Sequence, residues 1–222
     1  MGQIIIGYTA EGTTDIRLLE SILQRTFVAV GMECTQQIEV IDPIIRVDKE
    51  TGKDFISQIY DGAKKAFNDG IMAFCIHVDA DSNDDTDAMT HKINPSFNSI
   101  YDSPDTNICK NLIPIIPVRM SEAWMLADKE LLKEEIGTLK TDEDLGINRF
   151  PESFANPKHT IEEAIRIARS GEGKRRRHTL KISELYQPIG QKIPLESLER
   201  LPSYRSFKDA VRTAYRRLNY LQ

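Results

Sequence analysis

Short apolar runs alternate with amphipathic stretches along the first 140 residues, and few folds accommodate this alternation. Two of the apolar runs are GQIIIGYTA, from residue 2, and IMAFCIHVDAD, from residue 71. Both are continuous, which is typical of strands that are buried on both faces. Between them lie TTDIRLLESILQRTF and DFISQIYDGAKKAFNDG, whose apolar residues recur at helical spacing. The pattern predicts an α/β fold with a mostly parallel sheet flanked by helices.

Two further segments are predicted to be extended, IEVIDPIIRVD from residue 38 and NLIPIIPVRM from residue 111. Pro43 is expected to bend or end the first of them. The two prolines of the second indicate an irregular or edge position, because proline cannot donate a hydrogen bond within a sheet. A helix covering SEAWMLADKELLKEEI is predicted to begin at Ser121.

The strand pattern disappears after about residue 140. NPKHTIEEAIRIARSG predicts a helix with Asn156 as its N-cap and Pro157 at its first position. SYRSFKDAVRTAYRRLNYL predicts a final helix with an apolar face. We therefore expect an α/β domain over residues 1–140 and a helical, basic region over residues 141–222.

Charge is distributed unevenly along the chain. Residues 158–222 contain 15 Lys and Arg against 7 Asp and Glu, whereas residues 1–157 contain 14 against 27. This asymmetry is typical of a protein whose basic region contacts phosphate groups. It is equally typical of two oppositely charged faces that attract each other.

Composition indicates a cytoplasmic protein without a membrane partner. No run approaches the roughly 18 apolar residues that a membrane span requires. The start MGQIIIGYTAEG has no basic region before its apolar stretch, so no secretory signal is expected. Three widely spaced cysteines, Cys34, Cys75 and Cys109, are typical of reduced thiols.

Acidic residues follow two of the predicted strands: Glu11 follows the first, and Asp79 and Asp81 follow the strand of residues 71–81. Ligands of parallel sheets bind beyond the carboxyl ends of the strands. Residues two apart on a strand point to the same side, so the two aspartates are expected to point together. If the strands are neighbours, three carboxylates meet and repel one another unless a cation lies between them. An all-oxygen ligand set favours Mg²⁺ or Mn²⁺.

An Asp-x-Asp pair also occurs in other classes of protein. An EF-hand calcium loop beginning at Asp79 would require Gly and Glu where the sequence has Asp84 and Thr90, which rejects it. Haloacid-dehalogenase phosphatases use the first Asp as nucleophile, but their motif usually lies near the chain start. Metal-dependent glycosyltransferases also use an Asp-x-Asp pair, but the segment EGTTD would have no role in such an enzyme. The acids that follow, Asp84, Asp85 and Asp87, are predicted to cap the next helix.

Taken together, these motifs resemble the Toprim domain, a catalytic fold of primases, type II topoisomerases, some RNases and the OLD-type nucleases of bacterial defence. Its Glu-Gly and Asp-x-Asp pattern falls on Glu11-Gly12 and Asp79-Ala80-Asp81. The order EGTTD, DAD, SEAWMLAD, NPKHTIEEA and LPSYRSF resembles, more narrowly, a poorly characterised bacterial family of Toprim-like proteins of about this length. Residues 138–153 belong to none of these motifs.

The resemblance implies hydrolysis of a phosphodiester with a divalent metal ion. Asp79 and Asp81 would hold Mg²⁺, and Glu11 would complete the coordination or act as general acid and base. Gly12 would let the backbone turn close to a phosphate. Glu122 is either a further metal ligand or an ordinary first-turn glutamate favoured by the helix dipole.

Two neighbours of these acids have alternative interpretations. His77 either orients a metal ligand through its second nitrogen or is hydrogen-bonded to a neighbour within the sheet. Trp124 is predicted to lie in the core.

The expected partner is nucleic acid, either DNA or RNA, and a partner protein with ATPase activity is a further expectation. The backbone of the nucleic acid would lie along a basic set, namely Lys158, Lys174, Arg175, Arg176 and Arg177. The same run is also typical of a solvated loop.

Two other functions stay open. A phosphatase or phosphotransfer enzyme would use the same Asp-x-Asp pair on a small substrate. A non-catalytic module that binds a nucleotide or a partner protein would explain why no Lys or Arg is evident beside the acids.

Overall fold

The computed structural model describes residues 2–42, 44–48, 52–170 and 180–222. Within these residues the strands are β1 (Gly2–Ile4), β2 (Ile6–Thr9), β3 (Ile38–Val40), β4 (Ile45–Arg46), β5 (Ala73–His77) and β6 (Leu112–Ile115). The helices are α1 (Thr13–Gly31), α2 (Phe55–Asn68), α3 (Thr86–Ala88), α4 (Asn94–Tyr101), α5 (Glu122–Met125), α6 (Lys129–Ile136), α7 (Asp142–Leu145), α8 (Pro157–Ala168), α9 (Tyr186–Lys192), α10 (Leu195–Leu198) and α11 (Pro202–Arg217). A π-helical turn, Met89–Ile93, joins α3 to α4, and 3₁₀ turns cover Pro151–Ser153 and Ile182–Glu184.

The strands that the structure describes are all parallel, and the predicted α/β class is confirmed. The main sheet has the order β4-β2-β5-β6, while β1 pairs with β3. The chain therefore leaves β2 toward one edge of the sheet and later returns to form β5 on its other side. Such a reversal makes a switch point between β2 and β5, where ligands of parallel sheets bind.

Both faces of the main sheet are covered, which explains the continuous apolar run of β5. Ala73 and Cys75 join a core that includes residues of α1, α9 and α11. Phe74 and Ile76 point to the opposite face, toward a second core with residues of α2 and α4. Alternate residues of a strand point to opposite faces, so a strand between two helical layers must be apolar throughout.

The proline-containing segments are consistent with their predicted positions. β6, with Pro114 in its interior, is the edge strand of the main sheet. The segment from residue 38 is divided into β3 and β4, and Pro43 between them lies outside the described residues.

The single helix predicted from Ser121 is wrong, because α5 ends at Met125 and α6 begins at Lys129. Asp128 separates them with extended backbone (φ −120°, ψ 95°), and its carboxylate accepts a 3.0 Å hydrogen bond from the Leu131 amide. An aspartate side chain that caps a new helix competes with continuation of the previous one. Glu122 therefore lies on a short helix of its own, after the loop that follows β6.

The C-terminal region packs against the sheet domain through one continuous core. Trp124 is fully buried, as predicted, and its ring contacts those of Tyr204 and Phe207 in α11. Its Nε1 donates a 2.8 Å hydrogen bond to Ser203 Oγ. Because this core contains residues from both sides of position 140, the division into domains over residues 1–140 and 141–222 stays a prediction.

No helix within the described ranges combines the length and the apolar composition that a membrane span requires. The cysteines are free thiols: Cys75 and Cys109 are buried and Cys34 is half-buried. Burial raises the pKa of Cys75 and Cys109, which keeps both thiols protonated and unreactive.

Candidate active site

Three loops meet at the carboxyl end of the main sheet. Glu11 lies two residues beyond β2, Asp79 two residues beyond β5, and Glu122 at the start of α5 beyond β6. β2 and β5 are direct neighbours, with Thr9 opposite Ile76. The structure thus places Glu11 and Asp79 at the switch point, and the condition on which the predicted site depended is met.

His77, at the end of β5, connects these two loops. Its side chain is fully buried, and its Nδ1 accepts a 3.5 Å hydrogen bond from the Glu11 amide. Its Nε2 lies 3.3 Å from Asp79 Oδ1, yet at an angle that forms no hydrogen bond with any described residue. In the neutral ring an accepting Nδ1 leaves the proton on Nε2. An unpaired buried donor costs about 1–3 kcal/mol, and Asp79 Oδ1 is an acceptor within reach of this nitrogen.

Asp79 is also held by the loop that leads into α5. Its Oδ1 accepts a 3.0 Å hydrogen bond from the Ser121 amide. Ser121 Oγ donates a 2.6 Å hydrogen bond to Asp15 Oδ1, and the other oxygen of Asp15 accepts from the Gly12 amide at 3.0 Å. Asp15 is buried and joins the site through these two hydrogen bonds.

Glu122 is part of the same cluster. Glu122 is only 5% exposed, and its Oε1 accepts a hydrogen bond from the Tyr186 hydroxyl in α9. Burial raises the pKa of Glu122, and the negative charges of Asp79 and Asp15 raise it further, whereas the Tyr186 bond opposes the shift. Burial and the Glu122 carboxylate likewise raise the pKa of Tyr186, so its hydroxyl stays a donor. The C-terminal region therefore positions a candidate catalytic carboxylate.

The alternation of side chains along a strand reaches neither Asp79 nor Asp81, because β5 ends at His77. Asp81 lies apart from Asp79. Asp81 adopts the left-handed region (φ 57°), and so does Arg119 on the adjacent loop (φ 67°). A 2.9 Å hydrogen bond from the Asp81 amide to the Arg119 carbonyl joins the two loops. The side chain of Asp79 is 19% exposed and that of Asp81 is 72% exposed. Left-handed non-glycine residues of this kind concentrate at functional sites.

Lys92 contributes a positive charge that the sequence had not indicated. Its Nζ lies 3.4 Å from Glu11 Oε1 and 4.0 Å from Asp81 Oδ2. The residue belongs to the π-helical turn Met89–Ile93, a rare distortion that often occurs at functional sites. The premise that no Lys or Arg lies beside the acids is therefore wrong.

The donor chemistry fits a hard divalent cation. Glu11, Asp79 and Asp81 offer carboxylate oxygens, the ligands that Mg²⁺ and Mn²⁺ prefer. Within the part of the chain that is described, no three His, Cys, Asp or Glu side chains are already grouped tightly enough to hold a metal ion. Glu11 and Asp81 have Lys92 as their cationic partner, and their side chains are 34% and 72% exposed.

A cleft of about 340 Å³ opens beside Glu11. Its walls include Gly12 and, on β4, Arg46, whose Nε lies 2.6 Å from Asp48 Oδ1. The cleft gives a phosphate-sized group access to Glu11 from solvent.

The remaining predicted residues lie elsewhere. Asp84 Oδ1 accepts a 2.9 Å hydrogen bond from the Thr86 amide, so it caps the following helix, whereas Asp85 at the N-cap position makes no capping hydrogen bond. Lys158 is exposed in the first turn of α8, and no hydrogen bond or ion pair among the described residues joins it to the carboxylates. The predicted nucleic-acid contacts Lys174, Arg175, Arg176 and Arg177 lie outside the described residues.

Fold and site together define a parallel α/β protein with an acidic crevice at the switch point of its sheet. Comparison with protein-family models, with curated proteins and with solved structures found no match to this chain. The Toprim resemblance therefore stays a prediction from the motifs, and the function is argued from the geometry of the crevice.

Proposed function

We propose that this chain is a Toprim-like, Mg²⁺-dependent nuclease that hydrolyses phosphodiester bonds of DNA or RNA in the cytoplasm, as an effector of bacterial defence. The observation that supports the proposal most is that the loops carrying Glu11, Asp79 and Glu122 adjoin at the carboxyl end of the sheet, with the exposed Asp81 on one of them. Carboxylate oxygens gathered at one crevice are the ligands that a hard divalent cation prefers.

The carboxylates of the crevice are assigned to metal binding. Asp79, Asp81 and Glu11 would hold Mg²⁺ or Mn²⁺, with Glu122 as a further ligand. The cation would neutralise phosphate charge and lower the pKa of a bound water. The Ser121 amide fixes the orientation of Asp79, and the Nε2 proton of His77 is available to the same carboxylate once its angle improves.

The general acid or base is proposed to be Glu11 in addition to its role as ligand. Its carboxylate is partly exposed and lies beside a cleft that solvent can enter. Tyr186 holds Glu122 in a single orientation through its hydroxyl. This hydrogen bond orients the buried carboxylate of Glu122.

The assay that tests this proposal uses the purified full chain with end-labelled single- and double-stranded DNA and RNA. We expect cleavage with Mg²⁺ or Mn²⁺ and none with EDTA. Turnover of only small phosphate esters, with a phospho-aspartate trapped at Asp79, would instead identify a phosphatase. Nucleotide or partner binding without metal and without turnover would identify a non-catalytic module.

Lys92→Met is expected to bind Mn²⁺ about fivefold more tightly than the wild type. The ammonium group competes with the metal ion for Glu11 and Asp81, and partly exposed ion pairs of this kind are worth up to about 1 kcal/mol. Isothermal titration calorimetry or manganese paramagnetic resonance measures the affinity directly. Lys110→Met is the matched control, because Lys110 is an exposed lysine that hydrogen-bonds backbone carbonyls of Tyr101 and Ser103. Equal Mn²⁺ affinity in the two variants would contradict the competition.

A further inference from the structure

A second cleft, of about 680 Å³, lies between the loop after α5 and the C-terminal region. One wall is formed by residues 126–130, and the opposite wall by residues 148–151 together with residues 197, 200 and 201. Its volume lies within the range of about 300–1,000 Å³ that is usual for ligand sites. Residues 148–151 of the second wall belong to the stretch 138–153, which none of the sequence motifs covers. We call this the Arg149–Arg200 cleft.

The acidic side chains of the cleft are already engaged by other groups of the protein. Asp128 Oδ2 accepts a 2.9 Å hydrogen bond from Ser197 Oγ. Asp142 Oδ1 lies 3.0 Å from Lys133 Nζ, and Glu130 Oε1 lies 2.6 Å from the same atom. Lys129 and Lys133 thus offset the charges of Asp142 and Glu130, while Asp128 is hydrogen-bonded to neutral donors.

The two arginines of the cleft are not engaged in this way. Arg149 and Arg200 are both exposed, and no carboxylate of the described residues forms an ion pair with either of them. The Arg149 guanidinium lies over the Phe154 ring, 4.5 Å from its centroid, which orients the group without using its N–H donors. Two guanidinium groups with free donors make the cleft a receptor for anions, and the planar guanidinium group matches phosphate oxygens bidentately.

Phe150 adds an aromatic surface to the same cleft. It is 48% exposed, which is unusual for a phenylalanine, and it lies between Arg149 and Pro151 in the wall. Exposed aromatic rings beside basic groups are the usual platform for the bases of single-stranded nucleic acids. Phosphate donors and a stacking surface together favour a nucleotide unit over a simple inorganic anion.

We propose that the Arg149–Arg200 cleft binds a single-stranded segment of the nucleic acid, with Arg149 and Arg200 on backbone phosphates and Phe150 stacked on a base. The inference rests on the proposed function, because the occupant is a segment of the same substrate. The cleft begins at Leu126, directly after α5, and α5 is only about 6 Å long with Glu122 at its other end. A strand held in the cleft is therefore held near the acidic crevice, whose own charge repels phosphates.

The test measures binding in EDTA, where no cleavage occurs, with a fluorescein-labelled single-stranded 12-mer of DNA or RNA titrated with the full chain. The double variant Arg149→Ala/Arg200→Ala is expected to bind about tenfold or more weakly. The slope of log K against log salt concentration is expected to fall by about 1.4, since each single-strand phosphate contact contributes about 0.7. Phe150→Ala is expected to weaken binding about tenfold while leaving that slope unchanged, because stacking releases no counterions.

Arg166→Ala/Arg216→Ala is the matched control. It removes the same charge from exposed arginines that are engaged elsewhere, Arg166 by Glu163 and Arg216 by the Gln222 carbonyl. We expect it to change the affinity less than twofold. Equal losses in both double variants would overturn the cleft as a specific site. A mononucleotide that binds as tightly as the 12-mer, with the same dependence on Arg149 and Arg200, would overturn the strand in favour of a free nucleotide.

This inference and the proposed function fail in different ways. Binding that depends on Arg149 and Arg200, without cleavage under any metal ion, would support the cleft and reject the nuclease. Metal-dependent cleavage by the wild type, with the double cleft variant binding and cutting equally well, would support the nuclease and overturn the cleft.

Discussion

Asp79→Asn is expected to reduce the rate of metal-dependent phosphodiester cleavage by about a thousandfold or more, as loss of a central electrostatic group does in other active sites. The substitution keeps the size of the side chain, and the amide oxygen of Asn can still accept the hydrogen bond from the Ser121 amide. It removes the negative charge that would attract the cation beside His77 and Glu122. Single-turnover cleavage of a labelled strand under saturating Mg²⁺ measures the loss.

Asp84→Asn is the matched control for this prediction. It makes the same chemical change within the same acidic run, at a residue whose side chain only caps the amide of Thr86. Its cleavage rate is expected to stay within about twofold of the wild type, because surface substitutions of this kind change the protein little. Thermal unfolding should show that both variants are folded. If Asp79→Asn cleaved as fast as Asp84→Asn, the assignment of Asp79 would be rejected.

Gly190→Ala is expected to lower the free energy of unfolding by about 3 kcal/mol. A Cβ at this position would lie 2.3 Å from the Leu18 carbonyl oxygen and 3.0 Å from the Leu18 Cα. Those atoms belong to the backbone of α1 and cannot turn aside as a side chain could. The methyl group therefore has to separate α9 from α1, which opens the core between them. Urea denaturation followed by circular dichroism measures the change.

The two helices that this substitution would separate both carry residues of the site, Tyr186 on α9 and Asp15 on α1. Gln191→Ala is the control, because Gln191 is the exposed neighbour of Gly190 in the same helix. Its effect on the free energy of unfolding is expected to stay below about 0.5 kcal/mol. A Gly190→Ala protein as stable as Gln191→Ala would show that the close approach of α1 and α9 does not contribute to the fold.

The fold class was predictable because local periodicity determines it. The continuous apolar run of β5 indicated burial on both faces, and the two prolines of NLIPIIPVRM indicated an irregular or edge position; both agree with the structure. The sheet order was not predictable, since the adjacency of β2 and β5 depends on how distant helices pack. The division between α5 and α6 was missed because the cap of Asp128 lies inside an otherwise continuous helical pattern.

The residues of the candidate site also divide into those that the sequence revealed and those that it did not. Glu11 and Asp79 were found from their positions at strand ends, a local signal. Asp15, Lys92 and Tyr186 were missed because their contacts span 106, 81 and 64 residues of sequence. A single π-helical turn does not follow the periodicity of an α-helix. The sequence pattern therefore gives no sign of the turn that brings Lys92 to the crevice.

The anomalous scattering of manganese in crystals grown with saturating Mn²⁺ tests the central claim most directly. We predict a manganese peak bound to Asp79 and to at least one of Glu11 and Asp81, with Lys92 Nζ displaced from its position beside Glu11. Full manganese saturation of the crystal with no peak in the crevice, and with Lys92 still between Glu11 and Asp81, would contradict the account.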